Sequence, residues 1–213
     1  MNRVRLRSTP PVVMNLMIAN AVLWLATWAA MTLRIPALDA MLGYLPLFPV
    51  ESPWFHSWQV VTYMFMHGGF SHLLFNMFAL WMFGRTLEYD LGSKRFLTYY
   101  MVCGIGAGLI QLLVGWLTGS AAATVGASGA IYGILLAFGM LHPNDRVVLI
   151  LFPFFPIKAK WFVVIFGVLE LFMGLGNSIF SFDNVAHFAH LGGMLWGFGL
   201  LWWWRKRGMI SRY

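Results

Sequence analysis

The feature that most constrains this chain is its succession of apolar runs, most of them long enough to cross a lipid bilayer. The first runs from Val12 to Leu33 without a charged residue, and about 20 apolar residues suffice for a helical crossing. Similar stretches recur at about 61–84, 96–117, 128–141, 160–176 and 185–204. Of the 213 residues, 60% are hydrophobic and only 10% charged, against about 25% charged in a soluble domain. A soluble fold of this size has no interior large enough for that much apolar surface. The expected class is therefore an all-α membrane protein with six transmembrane helices.

The charges fix an expected direction. Arg3, Arg5 and Arg7 precede the first run; Arg85, Lys94 and Arg95 separate the second and third; Arg146, Lys158 and Lys160 separate the fourth and fifth; Arg205, Lys206, Arg207 and Arg212 follow the sixth. Only Arg34 falls on the opposite side, so a six-span map gathers 13 of the 14 basic residues on one face. By the positive-inside rule both termini are cytoplasmic, and the expected location is the cell membrane. The net charge of +7 is thus a topology signal rather than a nucleic-acid footprint. The N-terminal run lacks a small-residue cleavage site and reads as an uncleaved first span behind a short basic segment, 1–11. A basic tail, 205–213, closes the chain. The outer segment 34–60, with Pro36, Pro46, Pro49, Pro53, Trp54, Phe55 and Trp58, is expected to lie in the membrane interface. The run 147–156, "VVLILFPFFP", is too short and proline-broken to span. Cys103 reads as a small buried hydrophobe. No internal repeat is visible, which counts against a transporter. Nothing in the sequence specifies an oligomeric state.

Polar groups within apolar spans are costly and tend to be functional. The second span carries His67, His72 and Asn76, the fourth opens at Ser128, and the sixth carries His187 and His190. The fourth span is short: 14 residues separate Ser128 from His142, roughly 21 Å of helix against a hydrocarbon core of about 30 Å. With its cytoplasmic end at the interface, Ser128 lies roughly 10 Å below the outer surface. Counting back 15 residues from Arg205 to His190 and 13 from Arg85 to His72 brings all three side chains to nearly one level, as a water-filled pocket open to the outer face requires. Gly129 and Gly133 on the fourth span, and Gly193 and Gly197 on the sixth, are spaced for close helix approach. His190 shares the glycine face and His187 does not, so His190 is the residue turned toward Ser128.

A serine hydroxyl becomes a nucleophile when a base removes its proton, and imidazole is suited to that task. Ser128 and His190 would form a dyad. No third member is evident, because Asp183 lies outside the core and Glu170, on the fifth span, has no visible link to the sixth. Glu170 reads as an interhelical hydrogen-bonder, and His67 and His187 as rim histidines. Tyr132, one turn after Ser128, is placed to hold the imidazole by stacking. The helix start at Ser128 offers unpaired N–H groups to an oxyanion, Gly126 permits a tight bend before it, and His72 and Asn76, on one face of the second span, are candidate side-chain donors. These parts make a serine hydrolase site, with a peptide bond in or near another protein's transmembrane helix as its substrate.

At these residues the sequence resembles the rhomboid family of intramembrane serine proteases. "GASG" at 126–129 matches the family's GxSG, "AHLGGMLWG" at 189–197 its AHxxGxxxG, and "HLLFN" at 72–76 its HxxxN. The resemblance covers nearly the whole chain and implies a single catalytic domain, 1–213. It implies Ser128 as nucleophile and His190 as base. It further implies His72, Asn76 and the Ser128 backbone as oxyanion hole, and Tyr132 packed on His190. It implies that the segment "GNSIFSFDN" caps the site and that the fifth span helps admit substrate. Membrane-protein substrates and the bilayer are the expected partners, with no cofactor, no metal and no nucleic acid. One departure is Trp58-Gln59 where many members have Trp-Arg, which puts that pair's stabilising role in doubt.

Two other functions compete. His187 and His190, with His67 and His72 nearby, could hold a metal, but HExxH is absent and no carboxylate is evident beside them. A non-enzymatic scaffold that binds membrane helices would retain its function without Ser128.

Overall fold

Pro10 and Pro11 set the start of the first helix. Proline is well tolerated at the first helical position, where its missing N–H would have no intrahelical partner. In the computed structural model, which describes residues 8–149, 152–180 and 186–210, α1 runs Pro11–Thr32. Its next two N–H groups donate to both oxygens of one carboxylate, Val12 to Glu88 Oε1 at 3.0 Å and Val13 to Oε2 at 2.8 Å. A negative charge at a helix N-terminus satisfies orphan donors and complements the helix dipole. Ser93 Oγ also donates to Glu88, at 2.6 Å, so one buried carboxylate joins three segments.

After α1 come α2 (Pro36–Gly43) and an outer segment that returns to α3 (Gln59–Thr62) and a 3-10 turn, Tyr63–Phe65. Leu47 and Thr124 exchange backbone hydrogen bonds of 2.9 and 2.8 Å, tying this segment to the approach to the serine. The apolar run expected at about 61–84 is placed differently. It breaks at Met66–Gly69, and a continuous helical rod begins only at Phe70: α4 (Phe70–Ala79), a π turn (Leu80–Gly84) and α5 (Arg85–Leu91). Two consecutive glycines, Gly68 and Gly69, are poor helix formers and explain the break. The rod ends at Gly92, whose φ of +77° suits glycine.

α6 (Ser93–Thr118) stops at Gly119 in the left-handed conformation. α7 (Ser128–Leu141) ends before His142-Pro143. The apolar 147–156 run falls within an antiparallel hairpin, β1 (Arg146–Leu149) and β2 (Phe152–Lys158). Then come α8 (Ala159–Phe180) and α9 (His187–Lys206).

Three helices, α1, α6 and α8, are long and apolar enough to cross a membrane, and α7 is a shorter apolar helix. The chain is a multi-pass membrane protein. α6, α7 and α9 pack on one another as the centre of the bundle. Tyr99 Oη donates to Gly133 O at 2.8 Å and Tyr63 Oη to Gly104 O at 2.7 Å, so buried tyrosines pin α6 to its neighbours. Cys103 is fully buried and free, the small apolar filler expected. Arg205 donates to Met140 O at 3.3 Å and closes the far end of α7 against α9. α1 and α8 instead expose rows of large apolar side chains, among them Ile18, Val22, Leu25, Val168 and Phe172, as helices bathed in lipid do.

Candidate active site

The approach to α7 needs glycine at 126 for two reasons. Its φ is +126°, a conformation side chains rarely adopt, and a Cβ there would lie 2.9 Å from both Cε1 and Nε2 of His72. Its N–H donates to Tyr63 O at 2.9 Å, which fixes the bend. Ala127 then caps the helix and Ser128 is its first residue. A helix leaves its first N–H groups unpaired and directs its positive dipole end outward, and Ser128 stands at that end. Its Oγ lies 2.7 Å from Nε2 of His190, a hydrogen-bond distance.

Glycine contacts make that distance attainable. A Cβ on Gly193 would lie 2.7 Å from the carbonyl carbon of Gly129 and nearer still to its oxygen. A Cβ on Gly133 would lie 3.0 Å from Gly193 O and 2.7 Å from Cβ of Cys103. Backbones of α7 and α9 therefore touch directly, as small residues at this spacing permit. Gly197 has a different neighbour: a Cβ there would lie 3.1 Å from Cζ of Tyr99 and from Sγ of Cys103, both on α6. The four glycines thus seat α9 against α7 and α6 together.

One face of the His190 ring is covered by Tyr132, with centroids 4.3 Å apart and planes 6° from parallel. Across the site stands Glu170, the interhelical hydrogen-bonder expected, to which the structure adds a link to α9 that the sequence did not show. Glu170 links α8 to both of the other helices. Its Oε2 lies 2.9 Å from Nδ1 of His190 and accepts from Nδ1 of His187 at 2.7 Å, while Oε1 accepts from the Tyr132 hydroxyl. The contact to His190 is close but does not meet hydrogen-bond geometry, so Nδ1 of His190 has no hydrogen-bond partner among the described residues and Oε2 stands off its N–H axis. His187 is correspondingly no rim histidine: it is 4% exposed and bonded to a carboxylate. The one advance signal was an acid within a span, which is functional by default. α8 runs on to Phe180, past the expected span end at about 176, and helix register across the connection to α9 cannot be counted from sequence, so its partners were not legible. Residues 181–185 of that connection, Asp183 included, lie outside the described residues.

Glu170, His187 and His190 also form a group of donor atoms within 4.8 Å of one another, so a carboxylate does stand beside the histidines. Around a tetrahedral zinc with bonds of about 2.0–2.1 Å, donor atoms sit ~3.4 Å apart. The 2.7 Å separation here is that of a hydrogen-bonded Glu170–His187 pair, and the 2.9 Å one to His190 is likewise shorter than two ligands of one zinc stand apart.

His72 and Asn76 lie one turn apart on α4. His72 is half-buried, and its ring meets that of the buried His67 edge-on at 5.0 Å. Asn76 is buried, and its Nδ2 has no hydrogen-bond partner among the described residues. A buried donor without a partner calls for explanation; an oxygen that develops charge during a reaction would supply one.

The rhomboid domain pattern matches residues 55–207. The chain belongs to the rhomboid family. It is 35% identical over 141 residues to the mitochondrial Rhomboid protein 1 of Saccharomyces cerevisiae, covering 65% of this chain and 39% of that one. It is 31% identical over 144 residues to the Rhomboid protease GluP of Bacillus subtilis, covering 66% and 25%. It is 34% identical over 167 residues to the chloroplastic Rhomboid-like protein 11 of Arabidopsis thaliana, covering 70% and 53%. The chain thus spans between a quarter and about half of these relatives' length.

The rhomboid chain's departure at Gln59 has a structural counterpart. Gln59 is fully buried. Its Nε2 donates to Tyr44 O at 3.0 Å and Trp54 O at 2.8 Å, and its Oε1 accepts from Phe48 N at 3.2 Å. An amide holds the outer segment by three backbone contacts, so position 59 keeps an anchoring role without a charge.

Proposed function

We propose that this rhomboid is an intramembrane serine endopeptidase that cleaves transmembrane-helix segments of other membrane proteins. The observation that carries the reading is the 2.7 Å Ser128 Oγ–His190 Nε2 contact at the start of α7, under the stacked ring of Tyr132. In the proposed reaction Nε2 of His190 takes the Ser128 proton as Oγ attacks the scissile carbonyl. The oxyanion is met by the Ser128 backbone N–H at the helix start, with Asn76 and His72 as side-chain donors. His190 then returns the proton to the departing amine. Water, activated by the same imidazole, releases the acyl group from Ser128.

The proposed topology has six crossings, with α7 as a short central helix, the site open to the outer face and both termini cytoplasmic in the cell membrane. It is supported by the 13 basic residues that this map places on one side and by the positive-inside rule. Substrates, single-span or other, would enter from the bilayer; of the cap expected at 176–184, the part to Phe180 belongs to α8 and the rest lies outside the described residues.

Purified protein in detergent is expected to cleave a single-span reporter, and both Ser128→Ala and His190→Ala are expected to abolish cleavage. Undiminished cleavage by either variant would overturn the mechanism.

A further inference from the structure

We infer that Glu170 is a positioning residue that adds a third member to the proposed Ser128–His190 dyad, with α8 supplying the carboxylate. The inference rests on the protease reading above. Three side chains from two other helices converge on this carboxylate: His190 and His187 from α9, and Tyr132 from α7. Glu170 is 8% exposed, so its charge is directed at these partners rather than at solvent.

The geometry assigns a task to each contact. A neutral imidazole carries its proton on one nitrogen only, and the group facing that nitrogen selects the tautomer. Oε2 of Glu170 faces Nδ1 of His190 at 2.9 Å, which holds the proton on Nδ1. Nε2 then keeps its lone pair and receives the Ser128 Oγ proton at 2.7 Å. When Nε2 takes that proton the ring becomes an imidazolium beside a carboxylate. When the proton passes to the leaving amine the ring returns to its starting tautomer, and Glu170 itself gains and loses nothing. His187 and Tyr132 hold the carboxylate in place, and Tyr132 also fixes the ring from its face. One residue, Tyr132, therefore braces the acid and the base together.

The oblique approach of Oε2 to the His190 ring sets the expected size. Loss of a well-aligned triad aspartate costs about 10⁴-fold in kcat; a contact off the N–H axis is worth less, about 10²-fold, within the range of a single acid–base contribution. Glu170→Gln should lower kcat for reporter cleavage about 10²-fold with KM within about twofold of wild type. Glu170→Asp, which keeps the charge on a shorter stem, should recover part of the loss. Unchanged kcat in folded Glu170→Gln, or a change confined to KM, would overturn the inference. Nitrogen-15 NMR of histidine-labelled wild-type protein decides the matter even where the variants do not fold: His190 should carry its proton on Nδ1, and a proton on Nε2 would overturn the role. The two readings fail separately. Full activity in Ser128→Ala removes the protease reading, whereas an inactive Ser128→Ala beside a fully active Glu170→Gln removes only the role of Glu170.

Discussion

Gly193→Ala tests how the fold sets the site's geometry. The added Cβ would lie 2.7 Å from the carbonyl carbon of Gly129, where ordinary carbon contact is about 3.7 Å. Both atoms are backbone or directly attached to it, and the Gly129 oxygen stands nearer still, so no side chain can swing aside and α7 and α9 must part by at least about 1 Å. Gly129 follows Ser128, and Gly193 is one turn from His190. The separation therefore passes to the 2.7 Å Oγ–Nε2 contact and stretches it to about 3.7 Å, beyond hydrogen-bond range. A misplacement of about 1 Å costs on the order of 10²-fold in rate, and overpacking of this kind costs about 1–3 kcal/mol in stability. The assay is reporter cleavage in detergent with thermal unfolding measured on the same samples. Gly199→Ala is the control, because a Cβ there meets nothing within 4 Å: cleavage should be unchanged, and stability unchanged or slightly raised by alanine's better helix propensity. Folded Gly193→Ala with cleavage within about threefold of wild type would refute the reasoning that backbone contact sets the dyad distance.

Two further outcomes follow from particular side chains. Asn76→Ala removes the unpartnered buried Nδ2 and should lower kcat by about 10²–10³-fold, the cost of one oxyanion donor, with KM little changed; steady-state kinetics with kcat within about threefold of wild type would contradict it. Gln59→Ala strips three backbone contacts from the outer segment and should cost about 3 kcal/mol at about 1 kcal/mol each, seen as a fall in Tm in detergent; an unchanged Tm would show that the segment is held elsewhere.

What could be read in advance follows from how local each signal is. The start of α7 was legible because Gly126 and the first-turn serine announce it within four residues, and its end because His142-Pro143 stops it. The approach of α7 to α9 was legible because glycine spacing on each helix names a face. The second run was misplaced because hydropathy counts Tyr63–Met66 as span while the backbone turns at Gly68-Gly69. Glu170 was read as an interhelical hydrogen-bonder, but its link to α9 was hidden for a different reason. Its partners are set by the rotation of α8 relative to α9, which depends on packing, and no periodicity within either helix encodes it. Gln59 was read only as a missing charge, whereas its three amide contacts depend on how the outer segment folds back on it.

The most direct test of the central claim is covalent labelling by a serine-reactive fluorophosphonate, with the modified residue located by peptide mass spectrometry. A single adduct on Ser128 is expected, and it should disappear in His190→Ala, because the hydroxyl contacting Nε2 at 2.7 Å is nucleophilic only with that base present. Labelling at another residue, or labelling of Ser128 that is undiminished without His190, would contradict it.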